Sequence, residues 1–440
     1  MASSISIDGM LNDIQHMGFT RGDAEREGID NALDAGASMV RITRNTVRSS
    51  VSISDNGSGM DEAGCVKSLC FFDAVPASNK TGLFGLGNKA LHICLSTGMT
   101  QTTILSKKNG LPRAQLKADW VNARRTGVWN PMASEIGADT GIPLWNNLAI
   151  NQNHGTVMHI PMLPAEFAAH QANLPSDLAE LGFSYEEEIL SGKCIEVLVD
   201  GIVQPLDMKL ALGWDNVEES QRKEQRVELL TRGNEERIYY MHTSLRPPYT
   251  AMVYTGGDST RKIPDYDEAI AQGFTLKRAA VMYSVYNPAW DVPGQAEIPG
   301  YLALRRGTRN LCRLRCNTAK TGDLRARRII ASTRHVISFT SNADDVFGVE
   351  VNKSHVREES IHPGLLEKFR DLGKTWSQNY YNEYVKVGRD IAPGESEMAL
   401  RIRRAVATLK RFAAAHGAAY LDDFDNLTDD YNELEHRDDE

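Results

Sequence analysis

The sequence predicts an α+β fold, with helices covering one face of a β-sheet, divided over two or three domains. Helix-like and strand-like segments are mixed in the N-terminal part, and a second group of strand-like runs follows them. The chain has 440 residues, of which 41% are hydrophobic and 24% are charged, as in ordinary globular proteins. This composition excludes collagen-like, fibrous and wholly disordered chains.

The N-terminal elements follow from hydrophobic periodicity and from residues that start or stop helices. Thr20 is a suitable N-cap for a helix over Arg21–Ala35, and Gly36 is a stop signal directly after it. Strand-like runs follow at Met39–Thr43 and Val47–Ser54. The same criteria predict a helix over Asn88–Leu95 and strands over Thr102–Ser106 and Thr156–Ile160. We expect these elements to form a first domain at residues 1–186.

A second domain is expected at residues 187–390, and a helical, acidic tail at 391–440. The second domain begins with a strand over Cys194–Val199 and the hairpin signal Asp200-Gly201. Further strands are predicted at Ala279–Val285, Tyr301–Leu304 and Val336–Ser341, and helices at Asp215–Arg237, Leu365–Val387 and Met398–Ala415.

The net charge of −9 comes from the C-terminus, because Leu421–Glu440 holds ten acidic residues and one base. By contrast, Arg305–Arg334 holds nine arginines and Lys320 against one acid. This basic segment suits two roles that the sequence leaves open: binding the phosphates of duplex DNA, and forming ion pairs with acids of the same chain. The tail is either a solubilising end or an internal competitor for the basic surface.

The sequence carries no sign of a membrane or secreted protein. No stretch approaches the roughly 20 apolar residues of a membrane span, and the N-terminus MASSISIDGM lacks the pattern of a secretory signal. Six scattered cysteines are not a disulfide framework and suit a reducing compartment. We therefore expect a soluble, intracellular protein with no membrane partner.

Three polar residues share one face of the first predicted helix. Glu27, Asn31 and Asp34 are spaced i, i+4, i+7. The opposite face carries Ile29, Ala32 and Leu33. A carboxylate, a carboxamide and a second carboxylate on one stripe suit a water and a hydrated Mg²⁺ whose shell a phosphate completes. The alternative is an ordinary solvated helix face.

Two glycine-containing segments add to this stripe. Asp55-Asn56-Gly57-Ser58-Gly59-Met60 ends a strand, where an acid can accept a hydrogen bond from an exocyclic amine, although such a segment is also common in hairpin turns. Gly82-Leu83-Phe84-Gly85-Leu86-Gly87 precedes a helix, where glycine amides can bind phosphate. A P-loop is excluded because Asn88 separates Gly87 from Lys89, and the glycine order is the reverse of the Rossmann spacing.

The order of these motifs resembles the GHKL ATPases: gyrase B, the ninety-kilodalton heat-shock chaperones, histidine kinases and MutL. EREGIDNALDAGA is similar to the N box of that superfamily, DNGSGM to its adenine-contact motif and TGLFGLGNKA to its ATP lid. His154-Gly155-Thr156 opens a strand similar to its last nucleotide-contact strand. The resemblance implies a Bergerat-type ATP-binding α/β sandwich that uses ATP and Mg²⁺.

The resemblance also implies a role for each matching residue. Glu27 would be the general base, Asn31 would hold Mg²⁺, and Asp55, supported by Thr156, would accept from the adenine amino group. Asp34 would orient its neighbours. The other nucleotide contacts implied by the match are Gly57, Gly59, Met60, Gly82, Leu83, Phe84, Gly85, Leu86, Gly87, Asn88 and Lys89, although Lys89 also suits a surface helix position.

The second domain resembles the ribosomal-protein-S5-like transducer of MORC and MutL proteins. The match rests on Gly300–Arg309 and on Val351–His355, in which Lys353 would reach the γ-phosphate. The resemblance implies an ATP-dependent homodimer that acts as a nucleotide-gated clamp on duplex DNA. The alternatives are a chaperone-like ATPase with protein clients, and a nucleotide-gated binding module without turnover, which the acid at Glu27 argues against.

Overall fold

The fold is taken from a computed structural model. The described residues are 7–16, 19–70, 87–129, 131, 133–135, 142–208, 222–232, 236–242, 249–255, 264–286, 301–315, 333–349, 356, 358–361 and 363–380. Lys353, Gly82–Leu86 and the predicted helix at Met398–Ala415 lie outside these ranges, as do the acidic tail and residues 316–332.

The chain divides into two units, and the first holds nearly all of the described residues. It consists of Met1–Val285, Tyr301–Arg315 and Arg334–Phe369, and the second consists of Tyr286–Gly300, Cys316–Thr333 and Arg370–Glu440. In the second unit the described part is Tyr286, Thr333 and Arg370–Tyr380, where the hydroxyls of Thr333 and Ser377 lie 2.6 Å apart.

An eight-stranded sheet forms the N-terminal part of the first unit. Its strand order is β5-β4-β3-β6-β2-β1-β7-β8, and neighbours are antiparallel except for the parallel pair β1 and β7. The strands are β1 (Met39–Asn45), β2 (Ser50–Asp55), β3 (Gln101–Lys107), β4 (Arg113–Asp119), β5 (Ala133–Glu135), β6 (Gly155–Pro161), β7 (Cys194–Val199) and β8 (Ile202–Gln204).

Helices cover this sheet and share its hydrophobic core. They are α1 (Ile7–His16), α2 (Arg21–Asp34), α3 (Glu62–Leu69), α4 (Gly87–Ser96), α5 (Trp120–Thr126), α6 (Ile142–Leu148), α7 (Pro164–Ala172), α8 (Leu174–Ser184) and α9 (Glu186–Leu190). Buried residues of α1 to α5 pack in one cluster with β1, β2, β3, β4 and β6. Trp145 of α6 packs with Leu105 and Val157 in a separate cluster, and because Leu105 follows Ile104 of the main cluster, α6 covers the other face.

A seven-stranded sheet follows, with the order β11-β10-β9-β12-β15-β13-β14. Its strands are β9 (Arg222–Arg232), β10 (Glu236–His242), β11 (Tyr249–Thr255), β12 (Thr275–Tyr286), β13 (Tyr301–Arg306), β14 (Arg309–Arg315) and β15 (Thr333–Phe339). The described helices of this part include α10 (Tyr266–Ala271) and α11 (Pro363–Tyr380). The described residues therefore form a mixed α+β structure rich in antiparallel strands.

The predicted N-terminal elements form with small shifts in their ends, and two later expectations need correction. Cys194–Val199 is a strand, but it pairs with β1 and so extends the first sheet beyond the expected boundary at 187. The helix expected at Asp215–Arg237 is wrong over its described part, where β9 pairs with β10 and β12. The charged residues of this segment are good helix formers, but pairing on both sides and burial of Val227, Leu229 and Leu230 decide the outcome.

The basic segment is partly used inside the chain. Four of its arginines form ion pairs with acids: Arg305 with Glu187, Arg306 with Asp344, Arg309 with Asp30 and Arg313 with Glu180. For these four arginines, pairing with the protein's own acids is the observed arrangement. A DNA-binding role for the segment would therefore rest on its other basic residues.

Candidate functional site

Helix α2 carries the polar stripe predicted from the sequence. Thr20 caps the helix: its Oγ1 accepts from the backbone N–H of Asp23 at 3.1 Å, and Oδ2 of Asp23 accepts from the Thr20 N–H at 2.9 Å. This capping box fixes where the helix begins and therefore which residues face the core. Ile29 and Ala32 are buried, Glu27 and Asn31 are half-buried, and Asp34 is exposed at the C-terminal end.

Asp55 ends β2 and lies in the interior. Its Oδ1 accepts from the backbone N–H of Gly57 at 2.8 Å, and the backbone N–H of Thr156 also donates to the carboxylate. Burial raises the pKa of Asp55 to about 6, although these hydrogen bonds and the charge of His154 oppose the shift. The carboxylate is thus buried without an ion pair to a lysine or arginine among the described residues, and it retains acceptor capacity for a ligand.

The loop after Asp55 is held by β3 and by the turn before β6. The backbone N–H of Met60 donates to Oγ of Ser106 at 2.7 Å, and that hydroxyl lies 2.9 Å from Oγ1 of Thr156. Nδ1 of His154 lies 2.9 Å from the carbonyl oxygen of Gly57. Gly59 has a φ of +66°, and a Cβ there would lie 1.9 Å from the carbonyl oxygen of Lys107, so only glycine fits this approach.

Helix α2 and the loop also meet directly. The backbone N–H of Ser58 donates to the carbonyl oxygen of Ala35 at 3.0 Å, just past the end of α2. A Cβ on Gly57 would lie 3.0 Å from the Cβ of Ala35. The end of α2, the end of β2 and the start of β6 therefore converge on one region.

The beginning of α4 completes this region. A Cβ on Gly87 would lie 1.7 Å from Oε1 of Glu27, so the Gly87 backbone lies directly against the Glu27 carboxylate. Asn88 follows, with Nδ2 donating to the carbonyl oxygen of Ser68 at 3.4 Å. Lys89 is buried, which rules out the surface position that its sequence context also allowed. The glycine-rich segment thus ends at the helix face that carries Glu27.

Two side-chain amides have unused hydrogen-bonding capacity. Nδ2 of Asn31 and Oδ1 of Asn88 are buried with no hydrogen-bond partner among the described residues. Nδ2 of Asn31 is a hydrogen-bond donor, which suits a phosphate oxygen and not a cation. The amide oxygen of the same side chain is a hard donor of the kind that Mg²⁺ takes, and the Glu27 carboxylate lies one turn away on the same helix face. The residues present therefore fit a magnesium ion that also contacts a phosphate.

A cluster of two acids and a histidine, on the side of α2 away from Glu27, is excluded as a cation site. Ligand atoms of Glu25, His170 and Asp177 lie within 4.8 Å of one another. The guanidinium of Arg44 already neutralises them, with Nη2 at 2.6 Å from Glu25 and 2.7 Å from Asp177. Burial opposes ionisation of Glu25, but the charges of Arg44 and His170 outweigh it and lower its pKa to about 2. This group is a buried ion-pair network.

Comparison with known proteins supports the same interpretation of the N-terminal region. The family described as "Histidine kinase-, DNA gyrase B-, and HSP90-like ATPase" matches residues 23–156. The match supports a GHKL-type ATPase domain. The mixed, antiparallel-rich α+β structure of this region is consistent with the GHKL fold, and a domain of this family supports ATP binding and ATPase activity. No curated protein matches the chain.

The region matched by the family model brings most of the predicted site residues together. Glu27, Asn31, Asp55, Gly57, Gly59, Met60, Gly87, Asn88 and Thr156 lie on the converging segments, whereas Gly82, Leu83, Phe84, Gly85, Leu86 and Lys353 lie outside the described residues. The sequence prediction missed Ser106, which joins Met60 to Thr156. Ser106 lies inside an ordinary strand, and no motif marks it.

Other expectations concern the environment of the whole chain. None of the described helices is long and apolar enough to cross a bilayer. Cys65, Cys70, Cys94, Cys194 and Cys312 carry free thiols, as expected for a chain without a disulfide framework.

Proposed function

We propose that the protein binds ATP with Mg²⁺ between α2, the loop after β2 and the start of α4, and hydrolyses it with Glu27 as the general base. The observation that carries this proposal is the contact of Gly87 with the Glu27 carboxylate. It brings the end of a glycine-rich, phosphate-binding segment to the acid that would orient the attacking water. Hydrolysis needs such positioning more than it needs covalent chemistry.

The adenine end of the proposed site is Asp55. Its carboxylate would accept a hydrogen bond from the exocyclic amine, with Thr156 holding it in place. Because the pKa of Asp55 is raised to about 6, the carboxyl is ionised at neutral pH and becomes a hydrogen-bond donor in acid. Adenine recognition should therefore weaken as the pH falls below about 6.

The phosphate end is Asn31 with the glycine-rich segment. Mg²⁺, held by the Asn31 amide oxygen, would neutralise the charge of the phosphates. The backbone amides of Gly82, Gly85 and Gly87 would bind the β- and γ-phosphates, with Leu83, Phe84, Leu86, Asn88 and Lys89 flanking them. Lys353 would contact the γ-phosphate, as the resemblance implies, and Asp34 would orient the end of α2.

We also propose that two copies of the chain form a dimer whose closing and opening depend on the bound nucleotide. ATP bound by the glycine-rich segment would bring two copies of the ATPase domain together, and hydrolysis would release them. The proposal of a dimer draws on the resemblance of Gly300–Arg309 and Val351–His355 to the S5-like transducer of MORC and MutL proteins. Duplex DNA is the proposed client, and the basic residues of 316–332 would contact it. A protein client is the alternative that the same resemblance allows.

The experiment is gel filtration and ATP turnover with and without duplex DNA, at two salt concentrations. We expect ATP-dependent dimers, and turnover that DNA stimulates and salt weakens. Stimulation by unfolded protein instead of DNA would replace the DNA client by a protein client. Nucleotide binding without turnover would contradict the role of Glu27.

A further inference from the structure

Among the ion pairs of the described residues, one buried pair joins the hairpin of β13 and β14 to α2. Arg309, at the start of β14, pairs with Asp30 of α2, and both side chains are at least nine-tenths buried. The hydroxyl of Tyr185 lies 2.8 Å from Oδ1 of Asp30, and the Arg309 guanidinium lies 5.7 Å from the centre of the Tyr185 ring. A buried arginine with one carboxylate and one aromatic face is a geometrically specific contact.

Asp30 lies on α2 next to the proposed site residues, so the ion pair with Arg309 is close to the site. Asp30 directly precedes Asn31 and lies three residues after Glu27, so the three residues share one turn of helix. Burial and the like charge of Arg26 lower the pKa of Arg309 to about 10, and the charge of Glu27 opposes this shift. A contact that fixes the position of Asp30 therefore also fixes the helix turn that carries the proposed base and magnesium ligand.

The other ion pairs that the described hairpin residues make with the ATPase domain go to different helices. Arg313 pairs with Glu180 of α8 and lies 5.1 Å from the centre of the Phe183 ring, while Arg305 pairs with Glu187 of α9 at 2.7 Å. These contacts attach the hairpin to α8 and α9. Of the ion pairs that these described hairpin residues form, the one made by Arg309 goes to α2.

We propose that Arg309 is a positioning residue for Glu27: through Asp30 it fixes the turn of α2 that orients the attacking water. The second sheet would then control the rate of hydrolysis directly, by holding α2, in addition to any contact with the nucleotide. This inference rests on the proposed ATPase function. It predicts that loss of Arg309 slows the chemical step and leaves nucleotide binding intact.

The test compares Arg309→Met with Arg313→Met, which removes an ion pair of the same hairpin that is anchored on α8. For Arg309→Met we expect kcat to fall by about tenfold or more, with KM for ATP within about twofold of the parent value. For Arg313→Met we expect kcat within about twofold of the parent. Arg309→Lys keeps the charge without the planar fork and should be intermediate; it carries the comparison if Arg309→Met does not fold, as judged by circular dichroism.

Hydrogen–deuterium exchange of the α2 amides gives a readout that needs no turnover. In Arg309→Met the amides of residues 27–34 should exchange about tenfold faster, whereas Arg313→Met should leave them unchanged. Equal effects of the two variants on kcat and on α2 exchange would overturn the proposal, because the hairpin would then act only as general support. A parent chain without turnover would defeat the ATPase proposal and with it the positioning of Glu27 by Arg309, while exchange would still show whether Arg309 holds α2.

Discussion

Two regions on opposite sides of α2 bury carboxylates in opposite ways. Behind the helix, Glu25 is paired with Arg44 and His170, and its pKa is lowered to about 2. In the proposed site, Asp55 is buried among backbone N–H groups, and its pKa is raised to about 6. A buried acid with a cation stabilises the fold, whereas a buried acid whose burial is not offset destabilises it and suits a ligand. Glu25 and Glu27 are only two residues apart on α2, yet Glu25 faces the ion-pair network and Glu27 faces the backbone of Gly87.

Substitution of Glu27 should have the largest effect of the changes considered. Glu27→Ala should lower ATP turnover by about 10²–10⁴-fold, because water would lose the base that orients it, while ATP binding should persist. Steady-state turnover with purified protein measures this. Glu367→Ala, an exposed acid of α11, is the control and should match the parent. A Glu27→Ala protein that hydrolyses ATP at the parent rate would remove Glu27 from the mechanism.

Substitution of Glu25 should lower the stability of the protein and leave the chemical step unaffected. Glu25→Gln leaves Arg44 buried with a weaker partner, so the free energy of unfolding should fall by about 3 kcal/mol. Denaturant titration at pH 7 measures the loss. Because the pKa of Glu25 is lowered, its stabilising contribution is present above about pH 4.5 and is lost as the pH falls towards 2. Unchanged stability in Glu25→Gln would contradict the structural role of the network.

Asp55 should show the opposite pH dependence. Its raised pKa means that its contribution to folding is most favourable below about pH 4 and declines as the pH rises through 6. The decline should reach at most about 3 kcal/mol, from about two pKa units. The difference in unfolding free energy between the parent and Asp55→Asn, measured from pH 4 to pH 7, isolates this group. If this free-energy difference does not vary with pH, burial does not raise the pKa of Asp55.

The smallest expected effect concerns magnesium. Asn31→Ala should weaken ATP binding by about tenfold in the presence of Mg²⁺ and change it little in EDTA, because only the metal contact is lost. Fluorescent-nucleotide titration with and without the metal measures this. Equal weakening under both conditions would assign Asn31 to packing.

The sequence predicted the parts of the site that depend on local patterns. The Thr20 cap, the 3.6-residue periodicity of α2 and the glycine spacing place Glu27, Asn31 and Gly87 because each signal lies within a few residues of its effect. The predictions failed where partners are distant in the chain. Arg222–Arg232 looks helical locally but lies between two strands, and Cys194–Val199 joins a strand more than 150 residues away. Ser106 and the Arg309–Asp30 pair likewise depend on contacts that no local motif encodes.

Isothermal titration calorimetry of the Glu27→Ala protein with magnesium ATP shows whether the chain binds the nucleotide, because binding is then measured without hydrolysis. We predict a clear heat of association at one site per chain, which disappears in Glu27→Ala/Asp55→Ala. If the folded Glu27→Ala protein gives no heat of association, the region around Glu27 and Asp55 is not an ATP site.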